Sequence, residues 1–152
     1  VGEREERLGS GAVAQWRLDM DQAIEIAGEI SVLEAMPVPD RAVVSRPADP
    51  GRWGDVVIVR KDTPTSYHLS VVVDDAIQGV THVTRGMDLY AATDIHALLQ
   101  ALLGFSSPVY THHGLVVDET EAKLSKSKGS ESLADLRSAG WTPADVRRRL
   151  GF

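Results

Sequence analysis

Tyr67-His68-Leu69-Ser70-Val71-Val72-Val73-Asp74-Asp75-Ala76-Ile77-Gln78-Gly79 reads in two ways. Three consecutive valines, Val71 to Val73, favour a strand. Leu69, Val72, Val73, Ala76 and Ile77, however, fall at i, i+3, i+4, i+7 and i+8, one apolar stripe on a helix. Thr65 or Ser66 can cap its start and Gly79 can close it, so the segment predicts a helix. Val80 to Thr84 then becomes a short strand ending at Arg85-Gly86. From Thr93, the residues Ile95, Leu98, Leu99, Leu102 and Leu103 repeat the helical stripe, and Gly104 stops it. Val109 to Val117 is strand-like again. Strand, helix, strand in that order predicts a right-handed βαβ crossover in a parallel sheet, hence an α/β fold.

On the N-terminal side, residues 1–11 are charged and glycine-flanked and read as a frayed helix end. Val13 to Leu18 alternates as a strand does. Asp19 to Ala27 carries Met20, Ala23, Ile24 and Ala27 on one helical face, with Asp19 as N-cap and Gly28 as stop. Ile30 to Glu34 reads as a short strand. Pro37, Pro39, Pro47, Pro50 and Gly51 make 37–52 a loop. Trp53 to Arg60 is rich in β-branched residues and reads as a strand, ended by Asp62-Thr63-Pro64-Thr65. On the C-terminal side, Ser132 and Thr142 each precede an acid by three residues, Asp135 and Asp145, which predicts two short capped helices. Pro143 suits a first turn, and Arg147-Arg148-Arg149 suits a last one.

The chain has 152 residues, 43% of them hydrophobic and 25% charged, as in a soluble globular domain or part of a larger one. A net charge of -6 at pH 7 argues against a generally basic nucleic-acid coat while allowing a local basic patch. With no cysteine, a disulfide framework and a thiolate metal site are excluded from these residues, and a cytoplasmic location is expected. No apolar run approaches membrane-spanning length, and the first residue is Val rather than Met.

Lys123-Leu124-Ser125-Lys126-Ser127 places two ammonium groups in a polar loop after the apolar run Leu115-Val116-Val117. Such lysines can follow phosphate oxygens that move during a reaction; a solvated basic loop is the other reading. Arg85 stands at the carboxyl end of a strand, where ligands of open α/β sheets bind, and its fork can grip a carboxylate. It could equally pair with Asp88 on the surface. The Tyr67 hydroxyl can reach a polar ligand, or the ring can staple the helix start. Asp74 and Asp75 lie mid-helix and need a partner or water. The five histidines show no HExxH pattern, and His112-His113, consecutive on a strand, point to opposite faces. The triple arginine and Lys61 could touch phosphates, or simply solvate a helix end.

Taken together, Tyr67–Gly79, Val80–Asp88, Thr93–Gly104, Tyr110–Asp118 and the lysine loop resemble the second half of the catalytic domain of the glutamyl-tRNA synthetase group of class I aminoacyl-tRNA synthetases. Lys123–Ser127 looks like that class's KMSKS signature with Leu in place of Met. The resemblance runs from about Gln15 onward. It implies a Rossmann-type domain, covering 63–152, with 1–62 as the end of the inserted connective region on the tRNA acceptor side. It implies activation of L-glutamate by ATP with Mg2+, and transfer of the glutamyl group to a tRNA. Tyr67 and Arg85 match positions that contact glutamate. Lys126 matches the lysine that binds ATP phosphates, Lys123 would assist it, and Leu115-Val116 match the segment beside adenine.

Within the group the chain most resembles the glutamyl-Q tRNA(Asp) synthetase family, which glutamylates the queuosine base of tRNA(Asp). Only Lys128 to Phe152 follow the lysine loop, leaving no room here for an anticodon-reading domain. A truncated glutamyl-tRNA synthetase is the competing reading; a non-catalytic paralogue acting as a binding module is a third. The class I HIGH signature is absent, as is the N-terminal arginine-bearing segment that also holds glutamate. The cysteine-based zinc site of many relatives would lie upstream, so zinc is not expected. The resemblance thus implies half an active site, inactive without the N-terminal half of the same enzyme.

Overall fold

The structure, a computed structural model, describes residues 9–10, 13–36, 42–117, 124 and 131–151. Its contacts divide the chain into two compact units, 1–113 and 114–152. The strands of the first unit are β1 (Trp16–Arg17), β2 (Ser31–Ala35), β3 (Val43–Pro47), β4 (Val57–Val59), β5 (His82–Gly86) and β6 (Val109–His113). Its helices are α1 (Met20–Ala27), α2 (Tyr67–Gln78) and α3 (Thr93–Leu103). The second unit holds α4 (Leu133–Ser138) and α5 (Pro143–Arg149).

The ambiguous valine stretch is helical. Ser66 caps α2 by accepting the Leu69 N–H, and Gly79 ends it in the left-handed conformation at φ 66°. Val72 is the buried point of its stripe. α1 begins at Asp19, whose side chain accepts the Gln22 N–H, and stops at Gly28. Both C-terminal helices carry the expected capping box, Ser132 with Asp135 and Thr142 with Asp145.

The main sheet has the order β3-β2-β6-β5. β2, β6 and β5 are parallel, and β3 runs antiparallel on the edge. β5, α3 and β6 form the expected strand–helix–strand unit. β1 and β4 make a separate antiparallel pair.

Several boundaries move. Residues 43–47, read as loop, form β3: Val43 and Val44 pair with Ala35 and Glu34, and Pro47 closes the strand on the sheet edge, where a missing N–H is tolerated. Trp53 belongs to a 3-10 turn, Pro50–Trp53, and Gly54 at φ 57° breaks the chain there, so the strand expected from Trp53 shrinks to Val57–Val59. The strand expected over 80–84 lies two residues later. The Val80 N–H goes back to Asp75 at the end of α2, while the ladder with β6 runs on to Arg85↔His112 and Gly86↔His113. Arg85 is therefore inside the strand rather than after it. β6 ends at His113, short of Val117.

α3 is the centre of the core, buried from Thr93 through Gln100. Leu98 packs with Met20 and Ala23 of α1, Ala97 with Val32 and Tyr110 of the sheet, and Ile95 and Leu99 with Val72 of α2. Each such aliphatic side chain contributes roughly 1.5–3 kcal/mol by leaving water. A helix buried on three sides must also bury polar residues, and three of them, Thr93, Asp94 and His96, lie at its N-terminal end, near the carboxyl ends of the parallel strands.

Candidate functional site

Alternation along the parallel strands aims Glu34 of β2, His112 of β6 and Arg85 of β5 at the same side of the sheet, toward the first turns of α3. Each is the second-last residue of its strand. Arg85 is only 9% exposed. Its Nη1 donates to Nδ1 of His96 at 2.9 Å, its Nη2 donates to the Thr93 hydroxyl, and its Nε reaches Nε2 of His112 at 3.4 Å. Its guanidinium carbon stands 4.7 Å from the centroid of the Tyr110 ring, a cation–π contact. The Tyr110 hydroxyl in turn accepts from Gln100 at 2.9 Å, and Gln100 accepts from Ser107 at 2.8 Å.

Tyr67 joins this group from the start of α2. Its ring lies 5.9 Å from that of His96, the ring that accepts from Arg85. At 54% exposure it is the open side of the cluster. The structure thus brings together the two residues matched to glutamate contacts. Asp75 acts on Arg85 through space, and burial together with Asp74 raises the Asp75 carboxyl above its usual range.

The imidazoles here are neutral at pH 7. Burial, then the Arg85 charge, then His68 push His96 down to about 3. Burial and then Arg85 lower His68. The same two causes lower His112, partly offset by Glu34. Burial also pulls Arg85 below its ordinary value, yet an arginine starts so high that it stays charged. His113 is exposed while its neighbour His112 is buried, as consecutive strand residues must be.

Beneath this group runs a second polar layer that sequence reasoning missed. The Asp94 side chain is fully buried between Arg46, at 2.7 Å, and Arg52. Arg46 also lies 3.2 Å from Glu34 and covers the Tyr90 ring at 4.5 Å. Glu34 then faces Nδ1 of His112 at 3.3 Å. One signal for part of it was present: Thr93, His96 and Gln100 fall at i, i+3 and i+7, a polar stripe on an otherwise apolar helix. Nothing local marks Arg46 as the partner of Asp94, 48 residues away.

In the second unit, Leu115 and Val116 are 38% and 44% exposed, and the Val116 carbonyl accepts the Leu124 N–H at 3.1 Å. Lys123 and Lys126 lie outside the described residues. Trp141 carries Arg149 over its ring at 5.4 Å, and Arg148 pairs with Asp145 at 3.5 Å. Among the described residues no group of three or more His, Asp or Glu side chains could hold a metal ion, and no helix is long and apolar enough to cross a membrane.

A parallel sheet with a buried arginine at its carboxyl edge is the setting of an α/β ligand site. Residues 40–150 match the family described as tRNA synthetases class I (E and Q), catalytic domain, and the chain belongs to that family. Among its relatives, the Glutamyl-Q tRNA(Asp) synthetase of Rhodobacter capsulatus is 56% identical over 99 residues, which is 65% of this chain and 36% of that protein. The Glutamyl-Q tRNA(Asp) synthetase of Cutibacterium acnes is 39% identical over 140 residues, 92% of this chain and again 36% of the relative. The chain therefore spans little more than a third of the length of these two relatives. The crystal structure of Glutamate-tRNA Synthetase from Elizabethkingia anophelis superposes with a TM-score of 0.60 at 24% identity, covering 92% of this chain and 25% of that one. The α/β fold, with its parallel sheet, is that of the class I synthetase catalytic domain.

Proposed function

We propose that this chain supplies the amino-acid grip and the phosphate loop of a cytoplasmic ligase that activates L-glutamate with ATP and Mg2+ and transfers it to the queuosine base of tRNA(Asp). The observation that carries the reading is Arg85. It is a buried cation whose hydrogen-bond partners Thr93, His96 and His112 are all uncharged, at the carboxyl end of a parallel strand. A charge held that way favours an anion, and its planar fork suits a carboxylate. Tyr67, open to solvent beside it, forms the entrance to the grip. The names of the Rhodobacter and Cutibacterium relatives support glutamate and tRNA(Asp) as the partners.

In this reading Lys126 holds the ATP phosphates and steadies the charge on departing pyrophosphate, with Lys123 assisting. Leu115 and Val116, apolar and exposed, flank the adenine. Residues 1–62 close the connective region on the acceptor side, and 63–152 form the second half of the catalytic domain. The chain lacks a HIGH segment, so alone it activates no glutamate.

A titration of the labelled chain with L-glutamate, followed by NMR, tests the grip. Saturable shifts of the Arg85 Nε and His96 ring signals that vanish in Arg85→Lys are expected; signals that stay unmoved at millimolar glutamate would overturn the assignment. Glutamate-dependent pyrophosphate exchange by these 152 residues alone would overturn the half-site reading.

A further inference from the structure

Two imidazoles flank the Arg85 guanidinium and meet it through opposite ring nitrogens: Nδ1 of His96 and Nε2 of His112. A guanidinium only donates, so neither of those nitrogens carries a proton. In a neutral ring the proton then sits on the other nitrogen. Each of these faces a polar neighbour. Nε2 of His96 is 3.0 Å from Nδ1 of His68, and Nδ1 of His112 is 3.3 Å from Oε1 of Glu34. The Thr93 hydroxyl accepts from Arg85 and stands 3.1 Å from the Leu89 carbonyl and 3.0 Å from Nε2 of His112; with Nε2 accepting from Arg85, the proton between that nitrogen and the hydroxyl belongs to Thr93. The ring protons therefore point outward from Arg85 on both arms, that of His96 toward Nδ1 of His68 and that of His112 toward the Glu34 carboxylate.

A guanidinium has five N–H groups. His96, His112 and Thr93 take one each from Nη1, Nε and Nη2. One N–H on each Nη remains.

We propose that His96 and His112 are positioning residues whose opposite tautomers lock the plane of the Arg85 guanidinium, leaving one N–H on each Nη for the substrate carboxylate. The proposal deepens the reading of Arg85 as a carboxylate grip and rests on it. The two histidines act through Arg85 and need not touch the substrate. A freely rotating guanidinium would pay ordering entropy each time a carboxylate bound; a locked one does not.

Long-range proton–nitrogen NMR on the full chain, labelled in histidine and arginine, reads the tautomers directly. His96 should show its proton on Nε2 and His112 on Nδ1. An asparagine oxygen stands near the place of histidine Nδ1, and a glutamine oxygen near that of Nε2. The variants should therefore split in mirror image. His96→Asn and His112→Gln recover sharp, slowly exchanging Arg85 N–H signals. His96→Gln and His112→Asn broaden them and weaken glutamate binding by roughly tenfold or more, the loss of one hydrogen bond to a charged group. A residue that only filled space would show no such opposite preference. Thermal midpoints of all four variants check that each is folded.

The inverse tautomer at either histidine, or Asn and Gln variants that behave alike at one position, would overturn the proposal. If the tautomers and the mirrored Arg85 signals appear while glutamate fails to bind, the positioning of Arg85 stands and the glutamate reading falls. Glutamate binding with the wrong tautomers has the reverse meaning.

Discussion

Nη1 of Arg85 donates to Nδ1 of His96 over 2.9 Å, and both side chains are buried. One is a permanent cation and the other a ring that must stay neutral to accept from it. The pair makes the cluster a point of acid weakness.

The acid weakness has a definite sign. His96 binds its proton at about 3 in the folded chain, against an ordinary 6.5. Between those values the unfolded chain takes up the proton and the folded one does not, so stability falls as pH drops below about 6.5 and the loss levels off near 3. By pH 4 the wild type should have lost on the order of 3 kcal/mol more than His96→Asn, which has nothing to titrate there. Urea denaturation at pH 7, 5 and 4 measures the difference; parallel curves for the two proteins would rule it out.

Arg85→Lys keeps a positive charge and loses the planar fork. Glutamate affinity should drop by roughly tenfold or more, since an ammonium cannot serve a carboxylate, two imidazoles and a hydroxyl together. Calorimetric titration decides it, and an unchanged affinity would show that charge alone suffices.

Asp94 neutralises Arg46 and Arg52 from a fully buried position. Asp94→Ala should destabilise the chain by about 1–3 kcal/mol, because Arg46 loses the nearer of its two carboxylates, Asp94 at 2.7 Å against Glu34 at 3.2 Å. Adding Arg46→Met should restore part of the loss by removing the half-paired cation. Equal stability of the single and double variants in denaturant would contradict that account.

Gly79 sits at φ 66° with nothing within 4 Å of where a Cβ would point. Gly79→Ala should therefore cost about 1–2 kcal/mol from backbone conformation alone, with no clash to relieve. Gly51→Ala is the control. Its φ is not in the left-handed region and its Cβ would rest 3.5 Å from Ile24, so a change within about 0.5 kcal/mol is expected in the same melt.

The chain announces its helices because the information is short-range. The stripe of α2, the N-cap Ser66, the stop Gly79 and the two capping boxes each involve residues within one or two helical turns. Helix periodicity could outweigh three valines for the same reason: five apolar positions in phase are a stronger signal than one local β preference. β3 was illegible because Val43 and Val44 follow prolines and become a strand only when β2 offers its edge. The two-residue offset of β5 was set by its ladder with β6, which pulled Arg85 from the strand's end into its buried face.

By itself the sequence determined the α/β class, the crossover around α3, and Arg85 and Tyr67 as candidate residues of one site, since periodicity, caps and family resemblance all reside in nearby residues. Only the tertiary structure decided that Arg85 is buried among neutral imidazoles, that Glu34 backs His112, and that Asp94 balances two arginines. Those partners come from different strands and helices, with Arg85 and His112 27 residues apart and Arg46 and Asp94 48. A hydrogen bond depends on distance in space, and no periodicity along the chain records that.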